Sequence, residues 1–253
     1  MDNDAPLTPN KSAQARFEPT RWSVVLASAK TQAPGAGEAL AELCRTYWQP
    51  LYSFARRRGL DHHHAQDTIQ NFFLHLIENK SLSRADPLKG KFRNYLLASL
   101  QHHMANEVAR NSAQKRGGGS QPVSIDDQEV LLKFESSQSA SPVPAEAVFE
   151  REWAVAAVEV ALVQLEKDFA RKGKRDVFNI LKTFLVDEPS AGAYENAAAT
   201  LNQSSGALRT GVHRLRHEFR THLRREVAKT VDSPDQIDEE MRHLRTVLAK
   251  PTS

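Results

Sequence analysis

The stretch from residue 194 to residue 229 constrains the fold most, because two apolar helical periodicities meet there at a short polar break. The first helix would bury Tyr194, Ala197, Ala198 and Leu201. The second would bury Leu208, Val212, Leu215, Phe219, Leu223 and Val227. In the break, Asn202 suits the left-handed conformation that ends a helix, and Ser204 or Ser205 can cap the next one. The pattern predicts a helix-turn-helix.

The second of these helices is strongly basic. Seven Arg or Lys residues cover the surface that its apolar stripe leaves free, against only Glu218 and Glu226. Ala197 and Ala198 are small enough for the two helices to cross closely. Charge alone would also suit a solvated surface helix of an all-α protein, but the capped turn and the one-sided basic face together predict a nucleic-acid partner.

Charge is unevenly distributed along the 253 residues, although the formal net charge is only +3. Residues 84–116 hold seven Lys or Arg against two acids, whereas residues 120–170 hold ten acids against three bases. Two basic lobes around an acidic middle suit a protein that touches a polyanion at two separate places. The length allows two modest domains, each with its own core.

Cysteine and hydropathy exclude several classes of protein. Cys44 is the only cysteine, so neither a disulfide framework nor a cysteine-based zinc site can form within one chain. The first ten residues lack an apolar segment, and no window approaches the roughly 18 apolar residues that span a bilayer. We therefore expect a cytoplasmic protein without a membrane partner.

Helical periodicity, with strand patterns nearly absent, predicts the order of segments. Residues 1–19 are polar and rich in proline, which predicts a disordered arm. Residues 20–116 predict a first helical domain, whose clearest stripe is Ala65, Ile69, Phe72, Phe73, Leu76 and Ile77. Its last helix would bury Phe92, Leu96, Leu100, Met104 and Val108.

Three consecutive glycines at 117–119 predict a flexible linker over residues 117–145. A second helical domain over residues 146–229 ends in the helix-turn-helix and would first bury Val148, Trp153, Val155, Val158, Leu162 and Leu165. Residues 230–253 predict an acidic tail with a short amphipathic helix. The predicted fold is all-α: two small helical domains joined by a flexible linker, the second ending in a helix-turn-helix.

Three motifs resemble those of one protein family. Residues 65–73, AQDTIQNFF, are similar to its D-A-E-D-L-x-Q-x-x-F segment, and residues 92–96, FRNYL, to its F-R-x-W-L segment. Residues 194–198 and 208–216 are similar to its Y-E-E-I-A and T-V-K-S-R-L-H-R-A-R segments. The family is the sigma-70 family of bacterial sigma factors, in particular the extracytoplasmic-function (group IV) branch. The run 114–119 and the acidic tail resemble a planctomycete-type subset.

The match departs from the family pattern in three places. Asn202 and Gln203 replace the usual glycine and aliphatic residue of the turn. Gly211 interrupts the second helix, where glycine costs about 1 kcal/mol relative to alanine. His102 falls where many members carry an asparagine that grips a flipped promoter base, which leaves the −10 sequence open.

The resemblance implies a non-enzymatic initiation factor that binds core RNA polymerase and directs promoter recognition and transcription initiation. Asp67, Gln70 and Asn71 would dock on the clamp helices of the largest polymerase subunit; otherwise these residues form a solvated helix face. Promoter DNA is the second implied partner, and the resemblance also allows an anti-sigma protein. No cofactor is implied.

Two sets of residues would contact the promoter. The −10 element would meet the polar face of the helix that begins at residue 92, formed by Arg93, Tyr95, His102, His103, Asn106 and Arg110. Tyr95 could stack on an unpaired base, and it suits a place in the core equally well. The −35 element would meet Ser205, Arg209, His213, Arg214, Arg216 and Arg220, on the helix after the turn.

Two other classes of protein compete with this interpretation. A DNA-binding regulator that acts without polymerase would use the same helix-turn-helix, but such proteins usually dimerise to fix half-site spacing. An enzyme could place a metal ion at the histidines 62–64, beside Asp61 and Asp67. Adjacent histidines on a helix point apart, so at most two could converge. Without a Gly-rich phosphate loop, nucleophile elbow or metalloprotease motif, we expect no catalytic residue, metal site or cofactor.

Overall fold

The computed structural model describes residues 36–78, 91–115, 143–186, 190, 192–231 and 233–250. Over these ranges the chain forms nine helices and no strand, which confirms the predicted all-α class. The helices are α1 (Ala36–Arg57), α2 (His62–Glu78), α3 (Phe92–Lys115), α4 (Ala145–Arg171), α5 (Arg175–Leu181), α6 (Thr183–Val186), α7 (Ala193–Thr200), α8 (Ser205–Ala228) and α9 (Gln236–Ala249). The predicted N-terminal arm and most of the predicted linker lie outside the described residues.

Helices α1 and α2 fold back on each other through a short capped turn. Gly59 has a φ of 93°, and the amides of Gly59 and Leu60 donate to carbonyls in the last turn of α1. This pattern closes a helix C-terminus and favours glycine at the left-handed position. Asp61 then caps α2, because its Oδ1 accepts from the amide of His64 at 2.9 Å.

The apolar stripes of α1, α2 and α3 meet in one core cluster. Its aromatic members include Tyr47, whose ring meets Phe92 edge-on at 5.8 Å between centroids. Four of the five residues predicted for α3 are buried, but Val108 is 55% exposed. The buried stripe of α3 instead ends at Met104 and Ala105.

Helix α4 belongs to two cores. Its N-terminal half packs on α1, α8 and α9 and joins the first cluster through Ala145, Phe149, Trp153, Ala154, Ala157 and Ala161. Its C-terminal end joins a second cluster through Leu165 and Phe169. A continuous helix of 27 residues is about 40 Å long, which is enough to reach both.

The packed face of α4 differs in part from the predicted one. Val148, Val155, Val158 and Leu162 are only partly buried, whereas four alanines lie in the core. Small side chains on this face let α1 and α4 approach closely. A hydrophobicity pattern gives more weight to large residues, and it therefore ranks the valines above the alanines.

Helices α5, α6 and α7 pack with the first half of α8 around the second cluster. Leu208, Val212 and Leu215 of α8 meet Phe178 and the other buried residues of this cluster, Leu181, Phe184, Ala197 and Ala198. These residues hold α7 and α8 against the end of α4, through Leu165 and Phe169.

The two helical units share packing beyond the predicted linker. Leu223 and Val227 of α8 and Leu244 of α9 lie in the first cluster, beside residues of α1 to α3. The last linker residues also contact α1, since Arg57 Nε donates to the carbonyl of Val143 at 2.9 Å. The predicted tail helix forms as α9 and packs on α4 and α8.

Candidate nucleic-acid interface

The turn between α7 and α8 has the capping chemistry predicted from the sequence. Asn202 adopts a φ of 52°, and the amide of Gln203 donates to the carbonyl of Ala198 at 2.9 Å. These features close α7 in the left-handed manner. Ser204 starts α8, because its Oγ accepts from the amide of Ala207 at 3.2 Å. Of the two serines that could cap this helix, Ser204 is the one used.

Close packing fixes α7 against α8. Ala197 and Ala198 are 9% and 4% exposed, and they share the second cluster with Leu208 and Val212 of α8. The small side chains let the shorter helix cross the longer one directly.

The residues predicted to read DNA line the outward side of α8. Ser205 in its first turn is partly buried. The remaining five are exposed: Arg209, His213, Arg214, Arg216 and Arg220. Opposite them lies the buried stripe, so this face of α8 is polar and cationic.

Two of these arginines also have partners within the chain. Arg209 lies 5.2 Å from the ring centroid of Tyr194 and 3.8 Å from a carboxylate oxygen of Glu195. Arg216 donates twice to the carbonyl of Phe184, at 3.1 and 2.8 Å, and thereby ties the end of α6 to α8. Arg216 therefore stabilises the packing of α6 on α8 through these two hydrogen bonds.

The polar face predicted on α3 is less uniform. Arg93 is 2% exposed, its Nε donates to both carboxylate oxygens of Glu150 at 3.0 Å, and its guanidinium lies 4.3 Å from the ring centroid of Trp153. Arg93 also pairs with Glu240 of α9. The expectation that Arg93 lies on an open DNA face is therefore wrong for this structure, because α4 and α9 cover it.

His103 also faces inward. Its side chain is 10% exposed, and its ring lies 5.8 Å from Phe72 and 5.7 Å from His75 between centroids. Its Nε2 is 3.5 Å from Glu107. Burial raises the pKa of the Glu107 carboxyl, but the neighbouring His103, the hydrogen bond from Thr68 and the charge of Arg110 together hold that pKa below its usual value.

The other four residues predicted for α3 are accessible to different degrees. Tyr95 is partly buried and packs on the first cluster, stacked on Phe92 at 6.3 Å. His102 and Asn106 are partly buried, and Arg110 is exposed. Tyr95 thus belongs partly to the core, as one of its two interpretations held.

Helix α2 presents the residues predicted to bind polymerase on an open face. Asp67, Gln70 and Asn71 are exposed, while Thr68 and Ile69 between them are buried. The same helix exposes 47% of Leu74. A single exposed leucine is common on protein surfaces, so the open polar face rather than Leu74 makes this helix available for a contact.

The residues around Arg93 were missed by the sequence analysis. Glu240 is fully buried, and its carboxylate pairs with Lys91 and Arg93. Burial and the neighbouring Arg93 lower the pKa of Lys91. A signal was present, because Glu240 lies three residues after Ile237 and four before Leu244, on the apolar stripe of α9.

Residues 43–114 match the family model of sigma-70 region 2. This stretch covers most of α1, the whole of α2, and α3 up to its penultimate residue. This stretch, less than a third of the 253 residues, is thus similar to sigma-70 region 2. No curated protein and no solved structure matches the chain.

Two further observations concern the described part of the chain only. None of its helices is long and apolar enough to cross a membrane. Its histidines, cysteine and carboxylates form no group of three or more that could hold a metal ion. His62, His63 and His64 are exposed, and His64 pairs with Asp61 at 2.6 Å.

Proposed function

We propose that this chain is a sigma factor of the extracytoplasmic-function branch, of the planctomycete-type subset, which binds core RNA polymerase and directs promoter recognition and transcription initiation. The match over residues 43–114 carries the proposal. The polymerase supplies the chemistry, and the chain itself acts without catalysis or cofactor. The same proposal places it in the cytoplasm and allows an anti-sigma protein as a partner.

The polymerase contact is proposed at the exposed face of α2. Asp67, Gln70 and Asn71 offer one carboxylate and two amides, and Leu74 adds apolar area at the same helix. A polar, basic coiled coil such as the clamp helices of the largest subunit would complement that mixture. Residues 20–116 form the proposed region 2 unit.

The −10 contact is proposed for the accessible residues of α3. Arg110 is exposed, and His102 and Asn106 are partly so. Hydrogen-bonding side chains and the edge of Tyr95 suit bases of an opened strand, which must be unstacked before they can be read. Arg93 and His103 need a rearrangement of their neighbours before they can take part.

The −35 contact is proposed for α8, within a unit over residues 146–229. The outward side chains of its first three turns, with Arg209, His213 and Arg214, occupy the part of a recognition helix that reaches base edges. Arg220 lies about two helical turns beyond His213 and suits a phosphate contact. A regulator that acts without polymerase would use this same face.

The test of the polymerase contact is the affinity of the chain for core enzyme. Asp67→Ala with Gln70→Ala should weaken binding at least about tenfold, the effect of losing roughly 1.4 kcal/mol of interface energy. Both side chains are exposed, so the variant should fold as the wild type does. Titration of labelled chain with core polymerase gives the dissociation constant.

The matched control makes the same two kinds of substitution elsewhere. Gln164→Ala with Asp176→Ala alters exposed residues of α4 and α5 and should bind core as the wild type does. Wild-type binding by the folded α2 variant would remove the polymerase assignment from this face. Failure of the unaltered chain to bind core, together with tight binding to a palindromic DNA site, would favour the polymerase-independent regulator.

A further inference from the structure

Helix α9 buries a charge where an amphipathic helix ordinarily buries an apolar side chain. Glu240 is fully buried, between Ile237 and Leu244 of the same stripe. Its two carboxylate oxygens are held by Lys91 and Arg93, which lie at the start of α3. A helix that served only to complete the core would be as stable or more stable with leucine or methionine at this position.

The pairing partners of Glu240 belong to the unit that matches sigma-70 region 2. Arg93 is also held by Glu150 of α4, so two carboxylates surround one guanidinium. His243 of α9 binds the same Glu150, at 2.8 Å. The network therefore connects α3, α4 and α9 through polar and charged side chains.

A second acid on α9 binds the other proposed DNA-binding helix. Asp238 pairs with Arg224 of α8, and 73% of the Asp238 side chain is exposed. Helix α9 thus neutralises cations from both units that are proposed to contact the promoter. Asp238 and Glu239 lie in its first turn, and Glu240 follows them directly.

Carboxylates that occupy arginines and lysines of DNA-binding surfaces take the places of phosphates. Both groups are anions that accept charge-assisted hydrogen bonds from guanidinium and ammonium donors. We propose that α9 is an internal competitor of DNA: through Glu240 and Asp238 it occupies two cations, Lys91 and Arg224, that bind DNA phosphates once the helix is released. This inference rests on the proposed DNA-binding function. It adds a state of the free chain in which α9 occupies cations of the DNA-binding surface.

The apolar contacts of α9 are compatible with release. Within the described residues only Leu244 is a buried apolar residue of this helix, while Ile237, Met241, Val247 and Leu248 are partly buried. The ionic part of the docking weakens with competing anions, since a phosphate backbone offers the same contacts at high local density. Release leaves Arg93 paired with Glu150 and frees Lys91 from its closest acid.

The test is DNA binding by the free, full-length chain, measured by fluorescence anisotropy on a labelled duplex of arbitrary sequence at several salt concentrations. Glu240→Gln removes the buried charge and keeps the shape of the side chain. If α9 is docked in about 90–99% of wild-type chains, its release tightens apparent binding by about 10- to 100-fold. The salt slope should also steepen by about 0.9 for each additional phosphate that the chain neutralises.

Two controls identify the cause of any increase in affinity. Asp235→Asn removes the same charge from an exposed residue at the start of α9 and should change binding by less than about twofold. Lys91→Gln with Arg224→Gln in the Glu240→Gln background should abolish most of the increase, because the phosphates lose both cations that release exposes. An increase that survives these two substitutions, or a Glu240→Gln chain that binds as Asp235→Asn does, overturns the inference.

Hydrogen exchange on the wild-type chain keeps the inference testable even if Glu240→Gln fails to fold. The amides of residues 236–249 should exchange at least about tenfold faster when the chain is saturated with DNA. Unchanged exchange would show that α9 stays docked and is only structural. These measurements need no polymerase, so their failure is distinct from failure of polymerase-dependent initiation, which is measured on core enzyme.

Discussion

At the scale of single residues, the structure distinguishes a glycine that a turn requires from a glycine that no turn requires. Gly59 has a φ of 93°, in the region that side chains disfavour. Gly211 lies within α8, and no positive φ is found there. A Cβ added at Gly211 would lie 3.7 Å from Leu181 Cδ1, an ordinary van der Waals contact.

Gly211→Ala is therefore expected to stabilise the protein. The substitution should raise the free energy of unfolding by about 0.5–1 kcal/mol, because alanine loses less backbone entropy in a helix. Urea unfolding followed by circular dichroism measures the change. Gly59→Ala serves as the opposite control and should lower the free energy of unfolding by about 1 kcal/mol or more. A destabilised Gly211→Ala chain would show that this part of α8 is packed differently.

At the scale of elements, the α7–α8 turn depends on one left-handed residue and one cap. Asn202 tolerates its φ of 52° better than most residues, although glycine is the usual choice. The side chain of Asn202 is exposed, so its backbone conformation rather than its packing decides the effect of a substitution.

Replacing Asn202 should therefore follow backbone preference. Asn202→Ala should cost about 1 kcal/mol and lower Tm by about 2–4 °C, whereas Asn202→Gly should match or exceed the wild type. Scanning calorimetry on both variants measures the difference. If alanine and glycine gave the same Tm, the left-handed turn would not be under the expected conformational strain.

Substitutions at the two ends of the exposed face of α8 should change DNA binding in different ways. Arg214→Ala should relax base preference at particular −35 positions by about 1–3 kcal/mol if it makes a bidentate contact to guanine. Arg220→Ala should weaken binding to all sequences and lower the salt slope by about 0.9. Holoenzyme titrated with promoter variants at several salt concentrations separates the two effects. Identical losses on every sequence for both variants would argue against this division.

The elements themselves follow from local chemistry, and the sites follow only in part. Asn202 and the serine cap are short-range signals, and both are confirmed. The apolar periodicity is confirmed for most of α3 and only in part for α4. The burial of Arg93 depends on Glu150 and Glu240, 57 and 147 residues away in sequence. A polar residue on a helix is predicted to be exposed unless a distant partner is known. The sequence alone therefore predicts an open face for Arg93.

At the scale of the whole molecule, α4 packs against both helical units and joins them. The sequence alone predicts that only a flexible linker connects these units. Its alanines contact α1 while Leu165 and Phe169 lie in the second cluster. Packing of the C-terminal half of α8 and of α9 on the first cluster adds to the connection. Apolar periodicity describes each helix separately, so it cannot predict that the two units share a core.

Limited proteolysis should therefore cut the chain without separating it. The sequence predicts cleavage within residues 117–120 and 136–144, where glycine, serine and proline replace apolar periodicity. The two fragments should still elute together from a size-exclusion column at the volume of the intact chain, because the shared core holds them. Elution as two smaller species would show that contacts of α4 with α1 are weak in solution.

Transcription by reconstituted enzyme tests the central claim most directly. Core RNA polymerase without its own sigma factor is mixed with the purified chain and genomic fragments, and run-off transcripts are mapped at their 5′ ends. The account predicts transcripts with defined start sites that require the chain and are lost with Asp67→Ala and Gln70→Ala together. Absence of chain-dependent transcripts from any fragment, with core that initiates normally when given a known sigma factor, would contradict it.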